Sequence, residues 1–221
     1  DKDGFCSVIM QGRGVPAKAA FPNSFSYGND AVETVSYDPD GAKKLLEESG
    51  WTDTDGDGYV DKDGQKLSIN WLTYPTRLEQ PKLAEYAQAT LKDIGIDVVV
   101  NNTSDHMTIA KSGDFDVYVS STTTAPTGDP EYFFTSTVTG AKNYGNYQNE
   151  EVTKLTDQLH QTFDKDERAK LAVELQQDIL DDDAFFFISH LNMGIVTKSN
   201  VTGMAAHPCD YYEITADLDV E

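Results

Sequence analysis

The fold class follows from residues 67–100, which read LSINWLTYPTRLEQPKLAEYAQATLKDIGIDVVV. Leu67 to Thr73 alternates apolar and polar side chains, a pattern that predicts a strand. Glu79 to Ile94 carries an apolar stripe at helical spacing, Gly95 is suited to end that helix, and Ile96 to Val100 predicts a second strand. A strand, a helix and a strand within about thirty residues predict a βαβ unit with parallel strands and a right-handed crossover. The chain is therefore expected to have an α/β fold.

Further helices and strands are predicted on both sides of this unit. Asp38 is suited to cap a helix that begins at Pro39 and ends before Gly50. The stretch 164–167 has the spacing of a capping box and predicts a longer helix, and the acidic run 181–183 is expected beyond its end. We also expect helices over 104–112 and 150–163, strands over 114–120, 184–189 and 193–197, and mostly irregular or extended chain over 1–37 and 200–221.

The composition excludes some classes of partner. The 221 residues include 17 Lys plus Arg and 38 Asp plus Glu, which gives a formal net charge of −21. Nucleic acid and anionic membrane surfaces are polyanions, so a chain of this charge does not favour them. No run reaches the ~18 apolar residues of a membrane span, and residues 1–4 lack the pattern of a signal peptide. The length suits one large α/β domain or two small ones.

An acidic loop, residues 53–64, reads DTDGDGYVDKDG and is similar to the calcium loop of an EF-hand. Carboxylates occupy loop positions 1, 3, 5 and 9, and glycine occupies position 6. Because Ca²⁺ takes 6–8 oxygen ligands, alternate side chains of such a loop converge on the ion. Position 12 is Gly64 instead of the usual Glu, so an acidic turn without metal is the alternative. The residues predicted to hold a structural Ca²⁺ are Asp53, Asp55, Asp57, Tyr59 and Asp61.

Motifs for enzymatic chemistry are missing from the sequence. It contains no GxSxG motif, no P-loop and no GxGxxG motif. The histidines are far apart in sequence, and each is expected to be a surface or hydrogen-bonded side chain instead of a metal ligand. His190 is of most interest, because it follows an apolar strand whose end would face a cleft. No enzymatic activity and no catalytic cofactor are therefore predicted.

The two cysteines, Cys6 and Cys209, lie towards opposite ends of the chain, and neither is part of a CxxC motif. A zinc ribbon and a thioredoxin-like redox site are therefore excluded. Two partly buried thiols are one interpretation, and a disulfide that closes the domain is the other. His207 and Cys209 alone are too few for a soft-metal site.

Several stretches follow one another in an informative order. They are GRGVP at 12–16 with Phe21-Pro22, YDPDGAKKLLEESGW at 37–51, the Asp-Gly-Asp-Gly turn, Leu83 to Val98, Asp116-Val117-Tyr118, Gly128-Asp129-Pro130, NYQNEEV at 146–152 and Asp164 to Asp183. In order and spacing they resemble the family 5 extracellular solute-binding proteins, the peptide- and nickel-binding components of ABC importers. The resemblance covers nearly the whole chain.

This resemblance implies a fold and a place in the cell. Members of the family have two lobes that close on a ligand. Residues 1–221 are therefore expected to form a single C-terminal lobe of the type II periplasmic-binding-protein-like architecture, with a mixed sheet flanked by helices. Segments near 5–15 and 185–200 would cross between the lobes, which leaves a contact between Cys6 and Cys209 open. The first lobe, a signal peptide and a lipid-anchor cysteine are expected upstream, so the parent protein would be extracytoplasmic and lipid-anchored.

The resemblance also implies ligand capture by hinge closure and delivery to ABC permease subunits. Peptide-binding members often place an Asp shortly before the Asp-Pro pair, where it meets the amino group of the peptide, but residues 123–128 contain no carboxylate. The Ala125-Pro126 pair is more similar to the nickel-binding branch, although the loop 135–144 lacks the His of one nickel-binding pattern. We therefore expect nickel or a metal chelate as ligand, with a di- or oligopeptide as the alternative. The expected ligand contacts are Tyr118, Ser120, Ser121, Thr122, Asp129 and His190.

Three further alternatives stay open at this point. Asp129 is also suited to cap a helix ahead of Pro130 instead of contacting a ligand. A secreted hydrolase and a calcium-stabilised adhesion module are rivals from other functional classes. A hydrolase needs a nucleophile with a base within ~3 Å, and the sequence suggests no such pair. An adhesion module should show repeated Asp-rich loops, and the sequence has one.

Overall fold

The structure is a computed structural model that describes residues 1–206 and 214–221. These residues form two compact units. The first unit comprises residues 1–12 and 35–121, and the second comprises residues 13–34 and 122–221. The expectation that residues 1–221 form a single C-terminal lobe is untested by this division and stays a prediction.

Helices and short strands make up both units. The helices are α1 (Lys2–Gly4), α2 (Pro39–Glu48), α3 (Glu79–Lys92), α4 (His106–Ser112), α5 (Glu131–Phe133), α6 (Glu150–Gln161) and α7 (Lys165–Asp181). The strands are β1 (Gly14–Pro16), β2 (Asp61–Lys62), β3 (Gln65–Lys66), β4 (Ser68–Thr73), β5 (Asp97–Asn102), β6 (Val117–Tyr118), β7 (Ser189–Leu191), β8 (Val201–Thr202) and β9 (Asp219–Val220). Short π-helical segments follow α1 and α5, at Phe5–Ile9 and Phe134–Val138, and Asn29–Ala31 forms a 3₁₀ turn.

The first unit is built on the predicted βαβ unit. β4 is the central strand of a three-stranded sheet in the order β5-β4-β6, and both neighbours run parallel to it. Trp71 of β4 lies opposite Val100 of β5 and Val117 of β6. α3 connects β4 to β5 and buries Leu83 of its predicted apolar stripe together with Gln80 and Ala84, while Ala87, Leu91 and Ile94 of that stripe are half-buried. The α/β fold class and the parallel strand pair are confirmed.

Local side-chain chemistry sets the helix ends that the sequence predicts. The Asp38 carboxylate accepts a hydrogen bond of 2.9 Å from the Gly41 amide in the first turn of α2. The Asp164 carboxylate accepts hydrogen bonds from the amides two and three residues later, at 3.1 and 3.0 Å, in the first turn of α7. Gly50 follows α2 with a φ of +86°, a left-handed conformation in which glycine has no steric penalty.

The core of the second unit lies between α6, α7 and a set of aromatic rings. Each helix buries an apolar stripe, and together the two stripes comprise Val152, Leu155, Leu159, Leu171, Leu175 and Ile179. The ring of Phe21 contacts Tyr27 edge to face at a centroid distance of 5.0 Å, and contacts Phe133 at 5.9 Å. Phe21 and Tyr27 belong to the same buried cluster as the two stripes, so residues 17–34, which are mostly irregular, take part in this core.

Two predicted strands are shorter than expected, and a third does not form. The prediction for 114–120 reduces to β6, and within 184–189 only Ser189 belongs to a strand, β7, which pairs antiparallel with β1. The strand predicted for 193–197 is wrong, because these residues form no regular element and Val196 is 96% exposed. A strand is stable only with a hydrogen-bonded neighbour, and no β-bridge joins 193–197 to another described segment.

Two other boundaries differ from the predictions. Residues 1–37 contain more structure than expected, since α1 and the π-helical segment cover 2–9 and β1 covers 14–16. The acidic run lies across the end of α7 instead of beyond it, because Asp181 is the last helical residue and Asp182 is the C-cap. The expected crossing segments near 5–15 and 185–200 meet in the β1–β7 pairing, but whether they cross between lobes stays a prediction.

Candidate functional site

A polar cluster lies at the carboxyl end of the parallel sheet in the first unit. We call it the carboxyl-end cluster, and it consists of Tyr74, Glu79, Gln80, His106, Tyr118 and Ser121. β4 ends at Thr73 and β6 ends at Tyr118, so both strands deliver residues to the same edge. Ligand sites of open α/β sheets lie outside the carboxyl ends of the strands, which makes this edge the first candidate.

The aromatic half of the cluster is a stack of rings. The ring of Tyr74 lies 4.1 Å from the His106 imidazole at an interplanar angle of 19°. His106 Nδ1 shares a hydrogen bond of 2.9 Å with the Tyr118 hydroxyl. α4 supplies His106 from its first turn. Three side chains from two strand ends and one helix thus fix each other in place.

The other half of the cluster is centred on Ser121. The Ser121 amide donates to the Tyr74 hydroxyl at 3.3 Å. Gln80 Nε2 donates to Ser121 Oγ at 2.7 Å, and Ser121 Oγ donates to Glu79 at 3.3 Å. Gln80 is 4% exposed, and its Oε1 has no hydrogen-bond partner among the described residues. Buried amide oxygens are normally paired, so an outside donor that reaches this atom would be stabilising.

The structure brings together only part of the predicted ligand set. Tyr118 and Ser121 both belong to the carboxyl-end cluster, and Ser120 lies exposed between them in sequence. Thr122 is an exposed residue of the second unit. Asp129 and His190 also belong to the second unit and make separate contacts there.

The carboxylate of Asp129 forms a salt bridge with an arginine. Arg168 Nε and Nη2 donate to its two carboxylate oxygens at 2.9 and 2.6 Å. One of these oxygens also accepts a hydrogen bond of 2.9 Å from the Glu131 amide, in the first turn of α5. The hydrogen bond to Asp129 is the largest of the effects that raise the pKa of Arg168. Pro130, not Asp129, occupies the N-cap position of α5, but the Asp129 carboxylate does accept the first helical amide, and its oxygens face protein groups.

His190 lies in β7 opposite Val15 of β1. Its Nε2 is 3.1 Å from the side-chain oxygen of Asn29. That oxygen also accepts hydrogen bonds from the amides of Lys18 and Ala19, at 2.9 and 3.1 Å, so His190 is its donor. Burial lowers the pKa of His190, which favours a neutral imidazole at neutral pH. One ring nitrogen is therefore used by the fold.

The acidic loop brings three of its four predicted carboxylates together. Oxygen atoms of Asp53, Asp55 and Asp61 all lie within 4.8 Å of one another. Asp57 turns away and pairs with Lys66 Nζ at 2.5 Å, and this hydrogen bond is the main reason for its lowered pKa. The Lys66 ammonium also lies 4.4 Å from the centroid of the Tyr59 ring. The convergence fits a cation with oxygen ligands, but with fewer carboxylates than the sequence predicts.

Sequence reasoning missed several contributors to these arrangements, among them Tyr74, Glu79, Gln80, His106 and Arg168. Tyr74 directly follows the predicted strand 67–73, and the rule for strand ends could have identified it. Gln80 and His106 carry no local signal for a site, and Arg168 meets Asp129 across 39 positions of sequence. Cys209 and His207 lie outside the described residues, so the pairing of Cys6 with Cys209 stays a prediction. Among residues 1–206 and 214–221, no helix combines the length and the apolar character needed to cross a membrane.

Comparison with known proteins adds family information. A family model described as bacterial extracellular solute-binding proteins, family 5 Middle, matches residues 1–145. The oligopeptide-binding protein AppA of Bacillus subtilis is 29% identical over 222 residues, which cover 97% of this chain and 41% of AppA. The nickel-binding protein NikA of Staphylococcus aureus is 27% identical over 224 residues, which cover 100% of this chain and 43% of NikA.

Solved structures of both relatives have the same fold as this chain. AppA in complex with a nonapeptide superimposes with a TM-score of 0.78 at 26% identity, over 96% of this chain and 44% of AppA. NikA in complex with Ni(L-His)2 superimposes with a TM-score of 0.79 at 26% identity, over 100% of this chain and 46% of NikA. The chain thus spans less than half the length of these relatives, and it has the type II periplasmic-binding-protein-like fold that the sequence predicts.

Proposed function

Because the chain belongs to the bacterial extracellular solute-binding proteins of family 5, we propose that its parent protein captures a small solute and delivers it to an ABC importer. Capture would proceed by hinge closure, in which the ligand stabilises the closed state through contacts to two lobes. The permease subunits would be its partners, and a lipid anchor upstream of this chain would hold it at the outer face of the membrane. No step of this function requires enzymatic chemistry.

The carboxyl-end cluster is the observation that supports this function most directly. It places aromatic rings, a carboxylate and a buried amide with an unpaired oxygen at the sheet edge where α/β proteins bind ligands. Its side chains are held by one another, so little ordering is needed when a ligand arrives, which favours affinity. We therefore assign ligand contact to this cluster in the first unit. Residues 122–128 of the second unit, which include the expected contact Thr122, are assigned to ligand contact separately.

Nickel or a metal chelate is the proposed ligand. Residues 122–128 contain no Asp or Glu, and the carboxylate of Asp129 is engaged by Arg168. This loop therefore offers no free carboxylate to the amino group of a peptide. A metal that arrives wrapped in an organic chelator needs few direct protein ligands, and the Tyr74–His106 stack is suited to contact a flat organic group.

A short peptide is the second candidate, and one observation favours it. Glu79 brings a carboxylate into the carboxyl-end cluster, 3.3 Å from Ser121 Oγ. A carboxylate in a partly buried setting pairs well with an ammonium group. If the ligand is a peptide, Glu79 in the first turn of α3 would bind its amino group, in place of a carboxylate in the loop before Asp-Pro.

The deciding experiment uses the full-length parent protein, purified without added metal or chelator. Native mass spectrometry combined with elemental analysis identifies what it carries. Near-stoichiometric nickel, alone or with a small organic molecule, is the expected result. A ladder of peptide masses without nickel would contradict the nickel proposal and support the peptide. A protein that carries neither, and that binds neither added Ni(II)–histidine nor added peptides, would contradict solute capture of both kinds.

Variants of the parent protein then test the carboxyl-end cluster. Ser121→Ala removes the hydroxyl that links Gln80 to Glu79, and we expect it to weaken ligand binding about tenfold. Ser112→Ala is the matched control, because its exposed hydroxyl donates only to the Ile109 carbonyl of its own helix. Equal affinities for the two variants would contradict the assignment of ligand contact to the cluster.

We further propose that the acidic loop holds a structural Ca²⁺. The convergence of Asp53, Asp55 and Asp61 supports this, since oxygens within 4.8 Å of one another concentrate negative charge and offer several ligands to one cation. Hydrogen bonds from the loop, such as those of the Gly56 and Gly58 amides to Asp53, hold these carboxylates in place. The ion would stabilise the turn before β2 and would play no part in solute capture.

A further inference from the structure

We propose that Arg168 is a positioning residue for the ligand loop, defined as residues 122–128, and that it acts through Asp129. The inference rests on the proposed function, because that function assigns this loop to ligand contact. Arg168 itself lies in the first turn of α7 and need not touch the ligand. Its role would be to hold the end of the loop in a binding-competent conformation.

The Arg168 guanidinium uses all five of its N–H groups. Nε and Nη2 donate to Asp129, and Nη2 also donates to Glu131 at 2.9 Å. Nη1 donates to the carbonyls of Leu159 and Thr162, each at 2.6 Å. The side chain is 14% exposed, so water competes little for these bonds. One side chain on α7 thereby joins the start of α5 to the end of α6.

Asp129 transmits this restraint to the loop. Gly128 precedes it with a φ of +79°, donates its amide to the Ala125 carbonyl at 3.0 Å and accepts a hydrogen bond of 3.1 Å from the Tyr27 hydroxyl. Ala125 is buried in the core of the second unit. The C-terminal half of the ligand loop is therefore a closed turn, and the next residue along the chain is fixed by two hydrogen bonds from Arg168.

The two sets of bonds serve different purposes. The Nη1 bonds tie α7 to the end of α6 and so support the fold, since they reach the carbonyl of Leu159, which also accepts the Thr162 amide at 3.3 Å, and the carbonyl of the C-cap residue Thr162. The bidentate pair with Asp129 fixes the direction of the loop, because the planar fork matches both carboxylate oxygens. Lysine keeps the charge but cannot reproduce this fork. Arg168→Lys should therefore retain part of the positioning, and Arg168→Met should lose it.

The first test measures loop order in the 221-residue chain by hydrogen–deuterium exchange. We expect Arg168→Met to speed exchange of peptides covering 123–129 about 10- to 100-fold, with Arg168→Lys intermediate. Lys154→Met is the matched control, since its exposed ion pair with Glu151, at 2.8 Å, lies elsewhere on the second unit. Unchanged exchange in the loop would overturn the proposal. The proposal would also be overturned if exchange increased equally in both units, by the amount that the loss of global stability explains.

The second test measures affinity in the full-length parent protein by calorimetry. The probes are Ni(II) with two equivalents of L-histidine and, separately, a synthetic nonapeptide. For the probe that the wild type binds, we expect Arg168→Met to weaken binding about 10- to 100-fold, Arg168→Lys to weaken it less and Lys154→Met to leave it unchanged. A wild type that binds neither probe would contradict the proposed function. The role of Arg168 would then still be tested by the hydrogen–deuterium exchange of the ligand loop. Wild-type affinity in Arg168→Met would overturn the positioning role alone.

Discussion

Gln176 shows how one buried side chain can stabilise irregular chain. It is fully buried on α7, accepts a hydrogen bond from the Ala20 amide at 3.1 Å and donates to the Tyr27 carbonyl at 2.9 Å. These bonds satisfy backbone groups in 17–34, a segment with few regular elements of its own. A helix propensity scale gives no hint of this role, because the partners lie about 150 positions away in sequence.

Gln176→Leu is therefore predicted to destabilise the second unit by about 2–4 kcal/mol, since it removes the buried hydrogen bonds that the Ala20 amide and the Tyr27 carbonyl make with this side chain. Urea unfolding followed by circular dichroism measures the change. Gln177→Leu is the matched control, because this neighbouring, half-buried side chain makes comparable bonds to the backbone of Glu33, which is exposed. We expect the control to cost below about 1 kcal/mol. A similar loss of stability in both variants would show that the burial of Gln176 does not explain its contribution.

Glu131 makes part of the stability dependent on pH. Burial acts to raise its pKa, but hydrogen bonds from His160 and Arg168 outweigh that effect, and the pKa of Glu131 lies below its ordinary value of 4.5. The ionised form is therefore favoured by folding. Its contribution is complete above pH 4.5 and is lost as the pH falls from there through the lowered value.

Glu131→Gln should accordingly remove part of the acid sensitivity. The variant is expected to be less stable than the wild type at pH 7, and the difference should shrink as the pH falls below 4.5. Urea midpoints measured between pH 7 and pH 3 check this. Glu167→Gln is the control, since it removes an exposed carboxylate that pairs with Lys170. A difference between wild type and Glu131→Gln that is constant across this range would contradict the prediction.

Residue-level features were predictable where they depend on neighbours in sequence. Asp38 and Asp164 were expected as helix caps, and both accept the amide hydrogen bonds that this role requires. Asp129 had two interpretations, and only the contact with Arg168 shows how its oxygens are used. That contact depends on the packing of α6 and α7 against the start of α5, which no local pattern encodes.

The same distinction holds for the helices and strands. α3 and its flanking strands carry strong periodic patterns, so the βαβ unit was predicted within a few residues. The stretch 184–189 was predicted as a strand, but only Ser189 lies in one, and the Phe185 and Phe187 rings instead contact Phe133 at centroid distances of 6.0 and 5.9 Å. Apolar alternation indicates that a segment faces a core, whereas strand formation also requires a neighbouring strand.

The acidic loop carries a prediction that separates its carboxylates. Asp55→Asn removes a member of the convergent group, and we expect it to weaken Ca²⁺ binding at least about tenfold, because affinity depends on ligand charge. Asp57→Asn should have a smaller effect, since Asp57 faces Lys66. Calorimetric titration of the 221-residue chain with CaCl2 measures both. Equal effects of the two substitutions would show that Asp57 also binds the ion, as the sequence pattern predicts. If the wild type binds no Ca²⁺, the proposed site is refuted.

The charge of the chain as a whole is also a force on the fold. Its 38 acidic side chains outnumber 17 basic ones, so at least 21 carboxylates have no basic side chain to pair with one to one. Exposed ion pairs such as Lys170–Glu167 contribute only about 0–1 kcal/mol each. Repulsion is visible near the end of α7, where burial and the charges of Glu174, Asp181 and Asp182 raise the pKa of Asp178. Net self-repulsion should therefore exceed the gain from surface pairs.

Salt is expected to stabilise this protein as a consequence. The screening length falls from about 10 Å at 0.1 M to about 3 Å at 1 M ionic strength, which weakens repulsion between exposed carboxylates. We predict that the free energy of unfolding in urea rises steadily with NaCl over this range at pH 7. Asp178→Asn removes one repelled charge and should be more stable than the wild type at low salt, with a smaller rise on adding NaCl. If the free energy of unfolding falls with salt, the prediction is wrong. The attraction within the surface ion pairs would then outweigh the repulsion among the excess carboxylates.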